Sequence, residues 1–545
     1  MATPDRGSTS VLDDLPTFDP ATLDALAVRV GDGDPTDGDP SGTRLAVTAP
    51  AADERIGSVP ACDAADVDRA VSRARDAAAE WAETPVTERA AVVDRFGDLV
   101  RDRREPLLDL LQLETGKSRT TAVEELFDVP MACAYAADHG PAALAEDSRN
   151  PALPLVTTAT VTYEPRGVVG VISPWNYPLT LSVADAIPAL LAGNAVVLKP
   201  DERTPFGALY LAELLELAGL PDDVLTVVTG EGPVVGPALI DRVDYVSFTG
   251  STETGRIVAE RAGRNLIDCS LELGGNNPFV VLADADVEAT ARGAVQACFA
   301  NAGQLCLSAE RIYVEEPAFE PFRDAFVAAT RELTLGTGFD YDADLGSLID
   351  ADQLARVKAH VEDARETGAT VLAGGRARPD VAPYAYDPTI LTDVDPDSAV
   401  ACEETFGPLV SVTPVPDAAT AIERANDSPY GLNASVWTGD RERGEAIARE
   451  IDCGTVCVND AFLAGWGAVD APMGGFGDSG IGRRHGPEGV RRYVESRTVG
   501  VSRVGPVTFP ENVPREYFVR GAFALSGIGR RVARAARGIR RRLGR

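Results

Sequence analysis

The chain has 545 residues, an apolar content of 45% and a formal net charge of −33. That length predicts more than one hydrophobic core, and no stretch reaches the ~18 uninterrupted apolar residues of a membrane helix. A surface this acidic excludes nucleic acid as a partner, because phosphates need positive charge; it is self-repelling unless salt screens it, which predicts a salt-rich cell.

In chain order, residues 1–19 read as a loose tail with no signal-peptide pattern, so a cytoplasmic location is expected. "GDGDPTDGDPSGT" (31–43) reads as an acidic loop. Helical patterns dominate from 64 to 146, as in "ADVDRAVSRARDAAAEWAE". "VTTATVTY" (156–163) alternates as a strand able to form an arm. Short apolar runs then recur between helical stretches: "GVVGVI", "NAVVLK", "VLTVV", "DYVSF" and "NLIDCSLE". This is a βαβ series, so the fold class is α/β with a parallel sheet. A second α/β unit follows 276, with "NPFVVL", "RIYVEE", "VSVTPV", "NASVWT" and "GTVCVN" as strands. The end, "SGIGRRVARAARGIRRRLGR" (526–545), carries eight arginines and no acid. Ile528, Val532, Ala535, Ile539 and Leu543 fall near one helical face, which suits peripheral contact with an anionic membrane; the plain alternative is a solvated tail.

The eight cysteines are scattered and read as free thiols. The three histidines, His139, His360 and His485, lie far apart, and no metal site is expected. Cys306 stands apart from the other cysteines. It follows an Asn-Ala-Gly-Gln turn in "NAGQLCLS", among small polar residues, as a nucleophile needs. A helix opening after it, which "LCLSAERI" allows, would stabilise negative charge with its amides. In "LELGGNNP", Glu272 leaves a strand into a Gly-Gly turn, where a carboxylate can act as general base or merely cap a helix. In "SPWNYP", Asn176 offers a neutral donor for an oxyanion. "SFTGSTETG" places Gly250, Ser251 and Gly255 where a strand opens into a helix, as in a phosphate-binding turn. "VVLKPDERTP" puts Lys199 and Glu202 just past a strand.

These motifs, with "GQLC", "EETFGPL", "NASVWT" and "PMGGFGDSGIGRRHG", resemble in order those of the NAD(P)-dependent aldehyde dehydrogenase family, over roughly residues 45–500. The resemblance implies a Rossmann-like cofactor domain (20–145 and 164–276) and an α/β catalytic domain (277–487). A small β oligomerisation arm (146–163 and 488–510) and a basic tail (511–545) complete it. A homodimer or homotetramer is expected.

The resemblance also assigns roles. Cys306 attacks the aldehyde, Asn176 holds the oxyanion, and Glu272 activates water to hydrolyse the thioester. Lys199 and Glu202 would hold the adenosine ribose, and Trp175 and Ser251 the pyrophosphate. Glu404 and Phe406 would take the nicotinamide half, with Gly250, Gly255 and Leu273 completing the cofactor set. Glu202 favours the free 2′-hydroxyl of NAD, and its neighbour Arg203 leaves NADP open. Tyr177, Leu181, Leu305 and Leu307 would line an apolar substrate tunnel.

The wording is most similar to a bacterial branch of succinate-semialdehyde dehydrogenases. Enzymes of that activity carry two arginines at positions filled here by Ala184 and Ala300, so the usual carboxylate clamp is missing. Ser308 stands where a second, redox-active cysteine is often found. Succinate semialdehyde is the expected substrate, with medium- or long-chain, aromatic or broad aldehydes as the alternative. A non-catalytic relative would have lost the cysteine or the base, and this chain keeps both.

Overall fold

A computed structural model describes residues 18–30, 43–153, 156–505, 508 and 512–524. Most of the predicted tail 1–19, most of the acidic loop 31–43 and the arginine-rich segment 526–545 lie outside the described residues.

The chain divides into two compact units, the main one covering Met1–Ala145 and Glu164–Glu495. Among its described residues, helix Pro20–Ala27 and the antiparallel strands Arg44–Ala49 and Glu54–Pro60 come first, and helical layers follow. Ala64–Glu83 is opened by an Asp63–Asp66 capping box and buries Val67, Ala70, Val71, Ala74, Ala78 and Trp81 along one face. Helices Val86–Asp102, Arg104–Thr115 and Arg119–Ala143 follow.

The first large sheet has six strands, in the order Gly480–Ile481, Asp268–Glu272, Tyr245–Thr249, Val168–Ile172, Ala195–Lys199, Leu225–Val227. All neighbours are parallel except the edge pair Gly480–Ile481 with Asp268–Glu272. Its central runs are buried along almost their whole length, as expected for a sheet covered on both faces. From Val168–Ile172 the chain first builds outward to one side, then crosses to the other. The strand order therefore reverses between Val168–Ile172 and Tyr245–Thr249. A crevice opens at such a switch, beyond the carboxyl ends of the strands. "SPWNYP", Gly250-Ser251 and Glu272-Leu273-Gly274 all leave strands at that edge.

The second sheet has seven strands, in the order Thr370–Ala373, Thr389–Thr392, Leu409–Val415, Ala309–Glu315, Asn277–Val281, Asn433–Trp437, Thr455–Val458. Phe279, Phe299, Phe322 and Phe326 are at most 1% exposed in its core, which fixes the strand that follows Cys306.

The other unit joins Glu146–Tyr163 to Ser496–Arg545. It carries a three-stranded sheet ordered Val494–Ser502, Thr157–Pro165, Asp147–Arg149.

Two boundaries differ from the sequence reading. Residues 488–495, expected in the arm, belong to the main unit, where helix Gly486–Arg491 packs on Arg119–Ala143. Gly480–Ile481, expected in the catalytic domain, returns to the edge of the first sheet. Both differences come from long-range pairing, which local pattern does not report.

Candidate active site

Cys306 sits on a turn between the short 3₁₀ segment Ala300–Gly303 and strand Ala309–Glu315. The expected helix after it is absent; a strand follows, because "AERIYVE" is buried at nearly every position in the second sheet. Charge on sulfur is therefore not met by a helix terminus. Asn301, Ala302 and Gly303 all have φ between 52° and 72°, a strained run for residues other than glycine. At Gly303 a side chain would collide with the Gly407 carbonyl, so glycine is required there.

Amide side chains hold this strain in place. Asn301 Nδ2 donates to the Asn176 and Gln304 carbonyls at 3.1 and 3.2 Å. Gln304 Oε1 accepts from Ile349 N at 2.9 Å. Asn277 Nδ2 donates to the Cys306 and Ser308 carbonyls at 2.7 and 2.8 Å. Ser308 itself donates to the Cys298 carbonyl at 3.1 Å and is buried.

Burial, then the carboxylates of Glu404 and Glu272, push the Cys306 thiol up to about 12; Arg484 and the residue's own backbone N–H act against them. Glu272 ends its strand buried, and its Oε1 has no hydrogen-bond partner among the described residues. Burial raises its carboxyl to about 6, opposed by Arg484 and Arg492. Asn176 Nδ2 donates one hydrogen to the Gln304 carbonyl at 3.0 Å. An amide nitrogen carries two, so one remains for a ligand.

Cys306, Glu272 and Asn176 line one cavity of about 390 Å³, with Trp175, Leu181, Gly250, Ser251, Leu273, Glu404 and Phe406. A smaller cavity of about 50 Å³ shares Cys306, Asn176, Leu181 and Trp466 with its lining. Tyr177, Leu305 and Leu307 line this second space, as expected for a tunnel. Cys306 lines both.

Not every expected residue reaches the cavity. Gly255 lies in the first turns of helix Thr252–Asn265, where a side chain would strike Leu273. Its smallness lets helix and strand approach. Lys199 ends its strand buried and donates to Glu202 at 2.9 Å, beside the cavity rather than in its wall. Arg203 is held by Asp201 and Asp350, each at 2.8 Å, and lies 5.1 Å over the Trp175 ring. Ala184 faces a separate small cavity beside His485 and Arg492, and Ala300 packs against the second core.

Sequence reasoning missed several lining groups. Arg484, buried, donates to Asp185 at 2.7 and 3.1 Å and to Thr249 Oγ1 at 2.9 Å. Glu124, Glu125 and Asp128 of helix Arg119–Ala143 line the smaller cavity with Phe462, Leu463 and Trp466. In sequence, "EELFD" looks like an ordinary polar helix face, and Arg484 is one arginine among many.

The larger cavity fits a dinucleotide. Ser251 caps the fourteen-residue helix Thr252–Asn265, accepting from Thr254 N at 3.3 Å, so the helix N-terminus faces the space where a pyrophosphate would lie. Gly274 leaves room that a side chain would fill against Glu404, whose Oε1 accepts from Gly275 N at 2.8 Å. A doubly wound sheet with a thiol, an amide donor and an orphaned carboxylate at one crevice suits the class of nicotinamide-dependent dehydrogenases.

The aldehyde dehydrogenase family matches residues 37–499, and the chain belongs to that family. It is 51% identical over 457 residues to a Mycobacterium tuberculosis protein provisionally named as an NADP(+) succinate-semialdehyde dehydrogenase, covering 84% of this chain and 88% of the relative. It is 40% identical over 456 residues to the 4,4'-diapolycopene aldehyde oxidase of a Methylomonas species, covering 83% of this chain and 84% of the relative. Among solved structures, an E. coli NADP-dependent enzyme matches with a TM-score of 0.82 at 35% identity, covering 85% of this chain and 95% of that one. The betaine aldehyde dehydrogenase of Staphylococcus aureus in complex with NAD+ matches with 0.81 at 31%, covering 87% and 94%. The chain is thus an aldehyde dehydrogenase that uses NAD(P)+.

Proposed function

We propose that the chain oxidises an aldehyde to a carboxylic acid by forming and hydrolysing a thioester on Cys306. The observation that carries this is that Cys306 lines both cavities and shares the larger one with Asn176 and Glu272. Cys306 releases its proton to water, its sulfur bonds to the aldehyde carbon, and the carbonyl π bond opens to leave an oxyanion. The free hydrogen of Asn176 Nδ2 and the Cys306 backbone N–H stabilise it. The nicotinamide, when bound, supplies positive charge beside the thiol and a carbon that takes the hydride. Glu272 then accepts a proton from water, which attacks the thioester and frees the thiol. Aldehyde, NAD(P)+ and water become acid, NAD(P)H and a proton. Replacing Asn176 by Ala is expected to lower kcat about 10²- to 10³-fold, the loss typical of one oxyanion donor, in a steady-state assay of reduced cofactor.

The 51% identity to the named mycobacterial protein supports succinate semialdehyde as substrate. A second reading, an uncharged aldehyde, is favoured by the tunnel wall. It carries Glu124 and Asp128, with Glu125 already paired to Lys117, and no arginine. Asp128 is buried, which raises its carboxyl to about 6; at pH 7 and above it is mostly ionised and repels a second carboxylate. Trp466 Nε1 donates to it at 2.6 Å. Asp128→Asn is expected to raise kcat/KM for succinate semialdehyde about 3- to 10-fold relative to butyraldehyde, if like charge is what limits it. A panel of the two aldehydes, with NAD and NADP, checks this; an unchanged ratio removes Asp128 from substrate choice. Both cofactors belong in it, because Glu202 favours NAD while the named relative is an NADP(+) protein.

The largely exposed strand Val494–Ser502 supports pairing with a second copy, in a homodimer or homotetramer. No helix among the described residues is long and apolar enough to cross a membrane. We place the protein in the cytoplasm, and its charge of −33 supports a salt-rich one.

A further inference from the structure

Lys117 and Glu125 form an ion pair whose side chains are both 0% exposed. A buried pair gains little stability over apolar residues of the same shape, because both charges lose their water. Its contacts point to a different use. Lys117 lies in the loop between helices Arg104–Thr115 and Arg119–Ala143, and its Nζ donates to the Asn176 carbonyl at 2.9 Å. The same ammonium lies 4.3 Å above the Tyr177 ring. Its three hydrogens thus have a carboxylate, a carbonyl and a ring face to meet. Lysine occurs at only three positions in the chain, and the planar fork of arginine does not match this three-way geometry.

Glu125 works on the other side of the same segment. Its Oε1 accepts from Leu179 N at 2.7 Å and Thr180 N at 3.3 Å. These are orphan amides in the first turn of helix Pro178–Leu191, whose N-cap Tyr177 supplies no side-chain cap. The peptide carrying Asn176 is therefore gripped at its carbonyl and again at the helix that follows. Its amide is left with Nδ2 against the Gln304 carbonyl and one hydrogen free.

We propose that Lys117 and Glu125 are positioning residues of the oxyanion site, fixing the backbone of Asn176 so that its free amide hydrogen meets the oxygen of the aldehyde bound to Cys306. This rests on the reading of Asn176 as the oxyanion donor. Neither residue needs to touch the aldehyde oxygen. A displacement of about 1 Å at the donor is enough to cost on the order of 10²-fold.

The test uses the full-length protein with Lys117→Met, Asn176→Ala and the two combined. Stopped-flow absorbance gives the burst of reduced cofactor, and iodoacetamide alkylation of Cys306 gives a reaction that needs no oxyanion donor. Lys117→Met is expected to slow the burst about 10- to 100-fold, with KM for the cofactor and the alkylation rate little changed. On the Asn176→Ala background it should add less than about 3-fold, because the group it positions is already gone. The same factor on both backgrounds, or alkylation falling as far as the burst, overturns the proposal. A normal burst in Asn176→Ala alone overturns the oxyanion reading itself, which is a separate failure. If Lys117→Met does not fold, as judged by its thermal melt, the pair Lys117→Met/Glu125→Leu leaves no unpaired buried charge and carries the same comparison.

Discussion

Glu272→Gln is expected to release about one reduced cofactor per site in a burst and then turn over about 10²- to 10⁴-fold more slowly, the range of a lost general base. Glutamine keeps the shape of the residue and removes only its capacity to take a proton. The step it should stop is thioester hydrolysis, which comes after hydride transfer. Rapid-quench mass measurement should find the acyl group on the protein. Loss of the burst together with turnover would place Glu272 before the thioester instead. The pH profile gives a second reading of the same group. Burial raises the Glu272 carboxyl to about 6, against the pull of Arg484 and Arg492. Its base form is therefore lost as pH falls through about 6, and kcat should drop about tenfold per unit below that. In the Gln variant this acid limb should vanish.

Cys306→Ala is expected to lower kcat about 10⁶-fold, as removal of a nucleophile does. No other cysteine can take its place. Cys62, Cys133, Cys298 and Cys457 are buried in cores, and none of Cys269, Cys402 or Cys453 lines either cavity at the site. Cofactor binding should survive, measured by quenching of tryptophan emission, because Trp175 faces the larger cavity and stays in place. Dehydrogenase activity persisting in this variant would move the nucleophile elsewhere.

Burial and two carboxylates push the Cys306 thiol up to about 12, which favours its neutral form. Positive charge brought into the cavity would reverse that balance.

The chemistry-bearing residues were legible because each sits in a short local motif. Glu272, Asn176 and Ser251 lie at or just past strand ends and Cys306 on the turn before a strand, and the turn chemistry around them is written within a few residues. The apolar runs also carried the parallel sheet, since strands covered on both faces are continuous in apolar character, whereas the strand order and its reversal came only from the tertiary structure.

What the local motifs did not carry was decided by contacts far apart in the chain. "LCLSAERI" suits a helix start by composition, but the second sheet claimed its second half, from Ala309, as a buried strand. Gly255 was read as a phosphate contact, yet its smallness serves the packing of Leu273. Arg484 meets Asp185 across 299 residues, and Lys117 meets Asn176 across 59. A buried charge is recognised only by its partner, and a partner that distant leaves no local pattern. By itself the sequence singled out Cys306, Glu272 and Asn176 as candidates, because residue type and turn are local and their motifs resemble those of one family. Only the tertiary structure decided which charges surround them, because burial and pairing belong to the packed fold.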